Sequence, residues 1–444
     1  MLIIYTSHIT NRFKYIIETL CKIEGIEAFQ ITDDVTLYKG ALLPSINYSD
    51  APLKVNEVWI KPFGLLMETN IYPQTINCFE WKKLKVFFKT EGTIPFDIFS
   101  ASFYLITRYE EYLSQQLDNY GRYAHTNSLA YKEDFLHQPL IELWLKEFIT
   151  ELVSKSFRFS IKKKTFQFQP TYDIDIAFAY ADKNVLQNII RAGWYVLKAE
   201  FSKAKERIEA MRKQQKDPHD VYTWLNGLHE TYNLHPVYFF LLADKRKGYD
   251  KNTSPYSPLL QQLIKAHAEK YTIGIHPSWQ SGENDQLLHD EIGLLSRFIN
   301  KPVHHSRQHY IRMKMPDTYR KIFNEGILYE YSMGYGSING FRASVSSSFY
   351  WYDLLKDEQT KLLVHPFCYM DANAYFEQHL SAEEAAKEMQ YYHDIIKSVN
   401  GKLSIIMHNH FLTENKQWIE WRKIYEDFLR KNFPMETFQV SDTY

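Results

Sequence analysis

From about residue 165 onward, short apolar runs alternate with longer amphipathic stretches. Seven of the runs have the length and composition of buried strands: Thr171–Ile176, Val237–Leu242, Thr272–His276, Val303–His305, Ile327–Tyr331, Leu362–His365 and Leu403–His408. Helices are predicted between them at Asn184–Arg212, Pro258–Lys270, Asp285–Phe298, Thr318–Asn324 and Ala382–Val399. Strands that alternate with helices pair in parallel and are covered by those helices. The pattern therefore predicts an α/β fold, either a (β/α) barrel or a doubly wound sheet.

The beginning of the chain has the pattern of a smaller, mixed α/β unit. An apolar run at Leu2–Tyr5 predicts a strand, and apolar residues at helical spacing over Phe13–Ile23 predict the helix that follows it. Residues Phe157–Phe168 alternate apolar and polar side chains, which is typical of a strand entering a new sheet. We therefore predict an accessory domain of unknown role at 1–155 and a catalytic domain at 165–444.

The overall composition excludes several classes of protein. The 444 residues are 45% hydrophobic and 24% charged, and the formal net charge is −1. A balanced charge argues against a protein whose affinity comes from neutralising phosphates or an anionic membrane surface, so no nucleic-acid partner is expected. The sequence has no run of 18 consecutive apolar residues, so no membrane span is expected.

The cysteines and the N-terminal run bear on the compartment. Three cysteines, Cys21, Cys78 and Cys368, are too few and too far apart for a disulfide framework or a cysteine-based zinc site. The apolar run that begins at Leu2 has no charged segment before it, unlike the start of a signal peptide. Both observations favour a reducing compartment, and we expect the protein in the cytoplasm.

Acidic and imidazole side chains stand where the predicted strands end. Parallel strands of such folds place their carboxyl ends at one edge, where active sites are built. We therefore expect acids and imidazoles from separate strands to meet there. The strand-end residues are Asp173, Asp175, His276, His304, His305, Arg307, His309, His365, His408, Asn409 and His410.

Carboxylate and imidazole ligands without a thiolate suit a divalent metal such as Zn, Mn, Co or Fe. Asp173 and Asp175 stand two residues apart, so on a strand they share a face, and one can bind the metal while the other stays free as a general base. Each element also has a plain structural interpretation. An isolated Asp-x-Asp is usually a turn or a cap, an isolated strand-end His is usually a hydrogen-bonded structural residue, and the many aromatic residues are core first.

Five stretches of the sequence have the form of short motifs: Pro170–Asp175, Gly274–Ser278, Gly340–Ala343, Leu403–His408, and Ser306–Arg312 with Ser332–Tyr335. The first four resemble motifs of the polysaccharide deacetylase (NodB-homology, carbohydrate esterase family 4-like) family. They resemble, in order, its Thr-Phe-Asp-Asp motif, a strand-end His motif, an Arg-bearing motif and the final Leu-containing strand with its His. The fifth stretch is similar to a bacterial branch of the family in which Arg-Gln-His precedes a Ser/Thr-Leu/Met-Gly turn.

The resemblance covers about residues 168–440 and implies a distorted (β/α) barrel of about seven strands. It also implies metal-dependent removal of acetyl groups from sugars, which is hydrolysis of a linear amide when the acetyl group is on nitrogen. Carried onto this sequence, it makes Asp173 the general base and Arg342 the residue that orients it. Asp175 and His276 become metal ligands and His408 the general acid. Zn²⁺ is the first candidate ion, followed by Mn, Co, Ni or Fe.

The sequence departs from the family pattern in two places that affect the metal. Ile174 separates two acids that are adjacent in the family. Gln280 stands where the second motif has another His, so a third ligand must come from elsewhere. His309 is the candidate because the branch motif supplies a His at the end of the next strand, and Ser278 or water is the alternative.

The substrate-binding candidates are Arg307, Tyr335 and Trp279, and the expected partner is a carbohydrate. The loop after Arg342 is another departure, because Ser344–Ser348 replaces the usual Gly and Pro positions. Three functions remain open from the sequence. The first is a metal-dependent deacetylase of an N-acetylated sugar, the second a catalytically degenerate carbohydrate-binding relative, and the third a small-molecule amidohydrolase.

Overall fold

The computed structural model describes residues 1–113, 116–155, 161–162, 164–181, 185–211 and 216–434. The strands are β1 (Leu2–Thr6), β2 (Phe29–Thr32), β3 (Ser45–Tyr48), β4 (Val58–Ile60), β5 (Phe79–Trp81), β6 (Leu84–Val86), β7 (Gln167–Ile174), β8 (Val237–Leu241), β9 (Thr272–His276), β10 (His305–Ser306), β11 (Tyr329–Glu330), β12 (Phe349–Asp353), β13 (Glu358–Val364), β14 (Tyr369–Met370) and β15 (Lys402–His408).

The α-helices of the described residues also follow in chain order. They are α1 (Asn11–Glu24), α2 (Val35–Gly40), α3 (Ile98–Ile106), α4 (Leu129–Lys132), α5 (Leu140–Lys155), α6 (Val185–Leu197), α7 (Phe201–Met211), α8 (Tyr222–Thr231), α9 (Pro258–Lys270), α10 (Asp285–Ile299), α11 (Asp317–Asn324), α12 (Ala382–Ser398) and α13 (Ile419–Asn432). Among the residues described, no helix is both long and apolar enough to cross a membrane.

The part of the chain from β1 to the end of α5, called the N-terminal segment below, has a mixed α/β structure, as its sequence pattern predicts. Its four-stranded sheet has the order β2-β1-β3-β4 and is parallel throughout. The Thr10 side chain accepts a hydrogen bond from the Phe13 N–H and begins α1, and Gly25, in the left-handed region at φ 69°, ends it. That conformation costs glycine little, because it has no Cβ.

The second sheet has nine strands in the order β12-β13-β11-β10-β9-β8-β7-β15-β14. All neighbours pair in parallel except β12, which runs antiparallel to β13 at one edge. The seven predicted strands correspond to β7, β8, β9, β10, β11, β13 and β15, and the sequence patterns missed β12 and β14. In the described residues β12 and β14 remain edges, so the prediction of a barrel of about seven strands is corrected to an open sheet of nine.

Most predicted helices lie where the sequence places them. Helix α9 has the predicted bounds, and α12 begins with the capping box of Ser381 and Glu384. The long helix predicted over 184–212 is instead two helices, α6 and α7, which turn at Ala199 with φ 57°; residues 184 and 212 lie outside the described part. Residues 156–160 and 163 also lie outside it, and the strand expected there begins at Gln167.

Buried polar contacts join the N-terminal segment to the rest of the chain. Arg342 donates to the Glu111 carboxylate through Nε at 2.8 Å and Nη2 at 2.6 Å. The Glu142 carboxylate accepts hydrogen bonds from the backbone N–H groups of Ser346 and Ser347. Removing one partner of a buried ion pair typically costs about 3–5 kcal/mol. The serine loop after Arg342 is therefore part of this junction.

Candidate metal and catalytic site

A cleft of about 490 Å³ opens where the parallel strands of the large sheet end. Strand-end side chains from four elements meet in it, as the parallel topology predicts. Residues of the N-terminal segment also reach its wall. The lining includes Tyr120, Arg122, Asp173, Asp175, Tyr249, Lys251, His276, His309, Tyr310, Phe376, His408 and His410.

Three side chains in the cleft form a group able to hold a metal ion. One ligand atom each of Asp175, His276 and His309 lies within 4.8 Å of the others. Asp175 Oδ1 is 3.4 Å from His276 Nε2 and 3.9 Å from His309 Nε2. Two imidazoles and one carboxylate are a donor set that suits Zn²⁺ and neighbouring transition metals.

Hydrogen bonds on the far side of each ring aim the imidazoles. His276 Nδ1 lies 2.6 Å from the carbonyl oxygen of Arg307, so it donates there and leaves the Nε2 lone pair toward the cleft. His309 Nδ1 lies 3.0 Å from Oδ1 of Asp250, which is fully buried. A carboxylate behind a metal-binding histidine fixes the ring and raises its basicity. Gln280 is not a ligand, since its amide donates to Asp250 Oδ2 at 2.9 Å.

The electrostatics of Asp175 fit a cation. Burial alone would raise the pKa of its carboxyl group, but the imidazoles of His309, His276 and His408 outweigh burial and lower the pKa to about 2. Its Oδ1 is buried and has no hydrogen-bond partner among the residues that the structure describes. An ionised, buried and unsatisfied carboxylate oxygen is costly unless something positive binds it. The residues present therefore fit a divalent cation.

Asp173 lies beside this group and is held by an arginine. Arg307 Nη1 donates to Asp173 Oδ1 at 2.8 Å and to Thr171 Oγ1 at 2.8 Å. The guanidinium is fully buried and packs 4.5 Å from the centre of the Phe239 ring. The other carboxylate oxygen, Oδ2, faces His276 Nε2 at 3.8 Å. This arrangement fixes the Asp173 carboxylate next to the metal-binding group.

Arg342 does not lie next to Asp173. Besides Glu111, it donates to the carbonyl oxygen of Gly334 at 3.1 Å, so its donors are committed to the junction between the two parts of the chain. The prediction that Arg342 orients the base is thus corrected, and Arg307 has that position. Because Arg307 is buried beneath Asp173, the prediction that it binds substrate is corrected as well.

His408 faces the metal-binding group from the end of β15, next to Asp173 on the neighbouring strand β7. Its Nε2 is 4.0 Å from Asp175 Oδ2, and its Nδ1 is 2.6 Å from Oδ1 of the buried Asp371. Burial would lower the pKa of His408, but the charge and hydrogen bond of Asp371, together with Asp175 and Asp173, raise it to about 9. His408 is therefore held as a cation able to donate a proton into the cleft.

Two other predicted residues do not reach the cleft. Tyr335 is 1% exposed, and its hydroxyl accepts a hydrogen bond from Arg108, so a substrate cannot touch it. Trp279 lies behind the wall, between the Arg312 guanidinium at 3.7 Å and the Tyr249 ring at 4.9 Å. Because neither side chain reaches the cleft, the prediction that Tyr335 and Trp279 bind substrate is corrected.

The remaining strand-end histidines occupy different environments, and His304 is exposed. His410 lines the cleft, and burial together with His408 lowers its pKa to about 3, which keeps the ring neutral. His305 stacks on Tyr329 at 4.5 Å, and His365 stacks on Tyr331 at 4.4 Å. Those two rings serve as packed structural residues, in line with the plain interpretation of an isolated strand-end His.

Aromatic rings form one wall of the cleft. Tyr120, from the N-terminal segment, lies 5.4 Å from Tyr310 and 5.5 Å from Tyr249, centre to centre. Arg122 holds this wall in place, because its Nη1 donates to the carbonyl oxygens of Tyr310 and Gly336 at 2.9 and 3.0 Å. Tyr310 itself has a left-handed backbone, at φ 59°, directly after His309. The N-terminal segment thus contributes side chains to the site.

Sequence reasoning missed Asp250, Asp371 and Tyr120. Asp371 follows β14 and had the signal of a strand-end acid, but so short a strand leaves no pattern to recognise. Asp250 lies on the loop between β8 and α9, and Tyr120 lies in the other part of the chain. No spacing rule connects either residue to His309.

One family model matches the beginning of the chain. A family model described as a family of unknown function, DUF7033, matches residues 2–157. A search of curated proteins finds no match to this chain.

Several solved structures resemble this one at 11% sequence identity. A Mycobacterium smegmatis structure assigned as a polysaccharide deacetylase matches with a TM-score of 0.38, over 61% of this chain and 86% of that one. Puue allantoinase matches with a TM-score of 0.39, over 62% and 88%. A Bacillus cereus polysaccharide deacetylase matches with a TM-score of 0.30, over 64% and 95%. The roles of the residues rest on the geometry above.

Proposed function

We propose that this protein is a metal-dependent hydrolase that removes the acetyl group from an N-acetylated sugar or glycan precursor. One observation carries the proposal. An Asp-His-His group able to bind a cation lies beside a fixed carboxylate, Asp173, and a protonated imidazole, His408, which pair across the neighbouring strands β7 and β15. Amide hydrolysis needs a base for the attacking water and an acid for the departing nitrogen.

Asp175, His276 and His309 would hold the cation, with Zn²⁺ as the first candidate and Mn, Co, Ni or Fe as alternatives. When bound, such an ion polarises a carbonyl oxygen and lowers the pKa of water toward neutrality. Three protein ligands leave a coordination position open, which is typical of catalytic rather than structural sites.

The chain's own groups move the protons. Asp173 accepts a proton from the attacking water, and Arg307 holds its carboxylate in place. His408 donates its proton to the amide nitrogen, because an amine anion is too poor a leaving group to depart unprotonated. The C–N bond then breaks, and acetate and a free amine are released. Acid–base assistance of this kind contributes about 10²–10⁴-fold in rate.

Two features support a sugar substrate and an active enzyme. The cleft volume of about 490 Å³ is within the usual range for small-ligand sites, and its tyrosine wall offers faces on which a pyranose ring can stack. The degenerate alternative rested on Gln280 and the serine loop after Arg342. His309 supplies the imidazole that Gln280 lacks, and the loop packs on Glu142 away from the cleft.

Acetate release tests the proposal. The protein loaded with Zn²⁺, Mn²⁺, Co²⁺ or Ni²⁺ should release acetate from N-acetylglucosamine oligomers, glycolipid precursors or nucleotide sugars. The Asp173→Asn protein is the control for contaminating activity. No release across these three substrate groups would refute the proposal, and turnover of simple amides without sugars would favour a small-molecule amidohydrolase.

Replacing His309 by Ala should weaken metal retention by about tenfold or more, as measured by metal analysis after dialysis against a chelator. The reason is that one of three ligand atoms is lost while Asp175 and His276 stay in place. Replacing His305 by Ala is the matched control, since that ring packs on Tyr329 outside the cleft. Unchanged metal content in the His309→Ala protein would exclude it as a ligand.

Replacing Tyr120 by Ala should raise KM for an N-acetylated oligosaccharide roughly tenfold, the value of one lost aromatic stack, while kcat changes little. The exposed Tyr256→Ala protein, altered away from this wall, is the control. An unchanged KM would remove Tyr120 from substrate binding. We also propose that 165–444 is the catalytic unit and that 1–155 is an accessory unit that completes its cleft. A raised KM would support this, because Tyr120 belongs to the accessory unit.

We further expect the protein to act in the cytoplasm, on a precursor rather than on finished cell wall. Its cysteines are free, and Cys21 and Cys368 are buried, as suits a reducing compartment. Cell fractionation checks this, and recovery of the protein in the exported fraction would contradict it.

A further inference from the structure

Helices α6 and α7 form a hairpin whose apolar residues face outward. On α6, apolar side chains recur at helical spacing on one face, and that face is exposed: Leu197 is 87% exposed, Leu186 66% and Ile190 63%. Phe201, at the start of α7, is 64% exposed and continues the stripe. An outward apolar stripe of this size is unusual on a protein surface unless another surface covers it.

The inward face of the hairpin is small and polar. Asn188 and Ala192 on α6 are buried, and so are Ala204 and Arg207 on α7. Arg207 Nε donates to Asn188 Oδ1 at 2.9 Å, which ties the two helices together. The usual arrangement of an amphipathic helix is thus inverted, because the polar residues pack inside and the apolar ones face out. The hairpin is therefore built to present its apolar face.

Basic residues and a tryptophan border this face. Trp194 is 41% exposed. The centre of its ring lies 3.9 Å from Lys198 Nζ and 5.4 Å from Arg191 Cζ. Residues 185–211, which include both helices, have five Lys or Arg and three Asp or Glu, and three further basic residues follow in the sequence at 212, 213 and 216, although the whole chain has a net charge of −1. Apolar residues bordered by Trp, Lys and Arg are typical of helices that lie in the headgroup region of a bilayer. A second protein copy would have to bring matching acids to this basic face.

The base of the hairpin is fastened to the segment that leaves β7 at the cleft. Asp175 and Ile176, at the beginning of that segment, line the cleft. Tyr180 follows them closely: Asn188 Nδ2 donates to its carbonyl oxygen, and the Arg207 guanidinium packs 4.8 Å from the centre of its ring. A surface that engages the hairpin therefore contacts helices attached to a cleft-lining segment.

We propose that the α6–α7 hairpin is an interfacial anchor that docks on a lipid bilayer containing anionic headgroups. The helices lie in the membrane surface and do not cross it. Resting on the proposed function, this inference names the substrate class as an N-acetylated glycan attached to a lipid, because docking would bring the cleft to the headgroup layer. The net charge of the whole chain gives no sign of this, because acidic residues elsewhere offset the basic excess of 185–216.

Vesicle binding tests the anchor directly. The full-length protein should co-sediment with vesicles of phosphatidylcholine mixed with phosphatidylglycerol, and high salt should weaken that binding. The Ile190→Gln/Leu197→Gln protein should bind about tenfold more weakly or worse, because two exposed apolar side chains no longer enter the bilayer. The control is Leu42→Gln/Val55→Gln, which alters two fully exposed apolar residues in the other part of the chain. A second variant, Arg191→Glu/Lys198→Glu, should lose the preference for anionic over pure phosphatidylcholine vesicles.

Several outcomes would overturn the anchor. One is that the unaltered protein does not sediment with vesicles, and another is that the unaltered and Ile190→Gln/Leu197→Gln proteins sediment equally. A third is that the unaltered protein binds no vesicles but forms a dimer in light scattering, and that the double variant is a monomer. The last result would identify a second copy as the occupant of the face. Vesicle binding needs neither the cation nor turnover, so the Asp173→Asn protein should bind vesicles normally. Failure of the proposed function and failure of the anchor are therefore separable.

Discussion

Replacing Asp173 by Asn should lower kcat by about 10²–10⁴-fold and leave metal content nearly unchanged. Asparagine keeps the size of the side chain and can still fill the space beside Arg307, but its amide cannot accept a proton from water. Asp173 is outside the group of ligand atoms formed by Asp175, His276 and His309, so the cation should remain. Acetate release and metal analysis on the same purified sample check both halves of this prediction.

The reciprocal variant, Asp175→Asn, is the matched control. It should lose the cation, since it replaces the ionised carboxylate at the centre of the group. The two acids lie at similar distances from His276, since its Nε2 is 3.8 Å from Asp173 Oδ2 and 3.4 Å from Asp175 Oδ1. Loss of metal from Asp173→Asn, with retention in Asp175→Asn, would reverse their assignment.

The strands and their ends could be predicted because parallel topology leaves little freedom. A short apolar run between helices is best placed as a buried strand, and its last polar residue then emerges at the common edge. The same rule predicts that Asp173, Asp175, His276 and His408 lie together. His309 followed from the same rule, since it comes just after the short strand β10.

The second layer around those side chains could not be predicted in the same way. Asp250 and Asp371 act through hydrogen bonds from a loop and from the end of a very short strand, where no periodicity exists. The prediction that Arg342 orients the base is wrong because the short motif around Arg342 does not indicate which residues contact its side chain. In the structure Glu111, far away in sequence, binds Arg342, while Arg307 lies just beyond the end of β10 and reaches Asp173.

The inverted hairpin illustrates the opposite limitation. Its apolar spacing predicts a helix correctly, but periodicity alone assigns an apolar stripe to the core. Only the three-dimensional structure shows that the stripe on α6 faces out, because Asn188 and Ala192 occupy the inward face. A sequence pattern therefore tells which residues share a face, and packing decides which face is covered.

Replacing Asp371 by Asn should lower kcat by about 10²–10³-fold and move the alkaline limb of the pH–rate profile to lower pH. The charge and hydrogen bond of Asp371 are the largest of the effects that together outweigh burial and raise the pKa of His408, so removing that charge lowers the pKa. A general acid works only while protonated, and a lower pKa means that the active form is lost at a lower pH. A pH–rate profile of acetate release for the two proteins measures this shift.

Asp250 and Asp371 are both buried carboxylates that bind an imidazole, and comparing Asp250→Asn with Asp371→Asn distinguishes their roles. Asp250 supports His309, so its replacement should lower metal retention about 10–100-fold and leave the alkaline limb in place once excess metal is supplied. Asp371→Asn should behave in the reverse manner, with metal content intact and the limb displaced. If instead Asp371→Asn loses the cation, or its limb stays where it was, His408 is not the proton donor. The acid would then have to come from another group, because His410, the imidazole of the cleft that remains outside the metal-binding group, has a pKa of about 3 and no proton to give near neutrality.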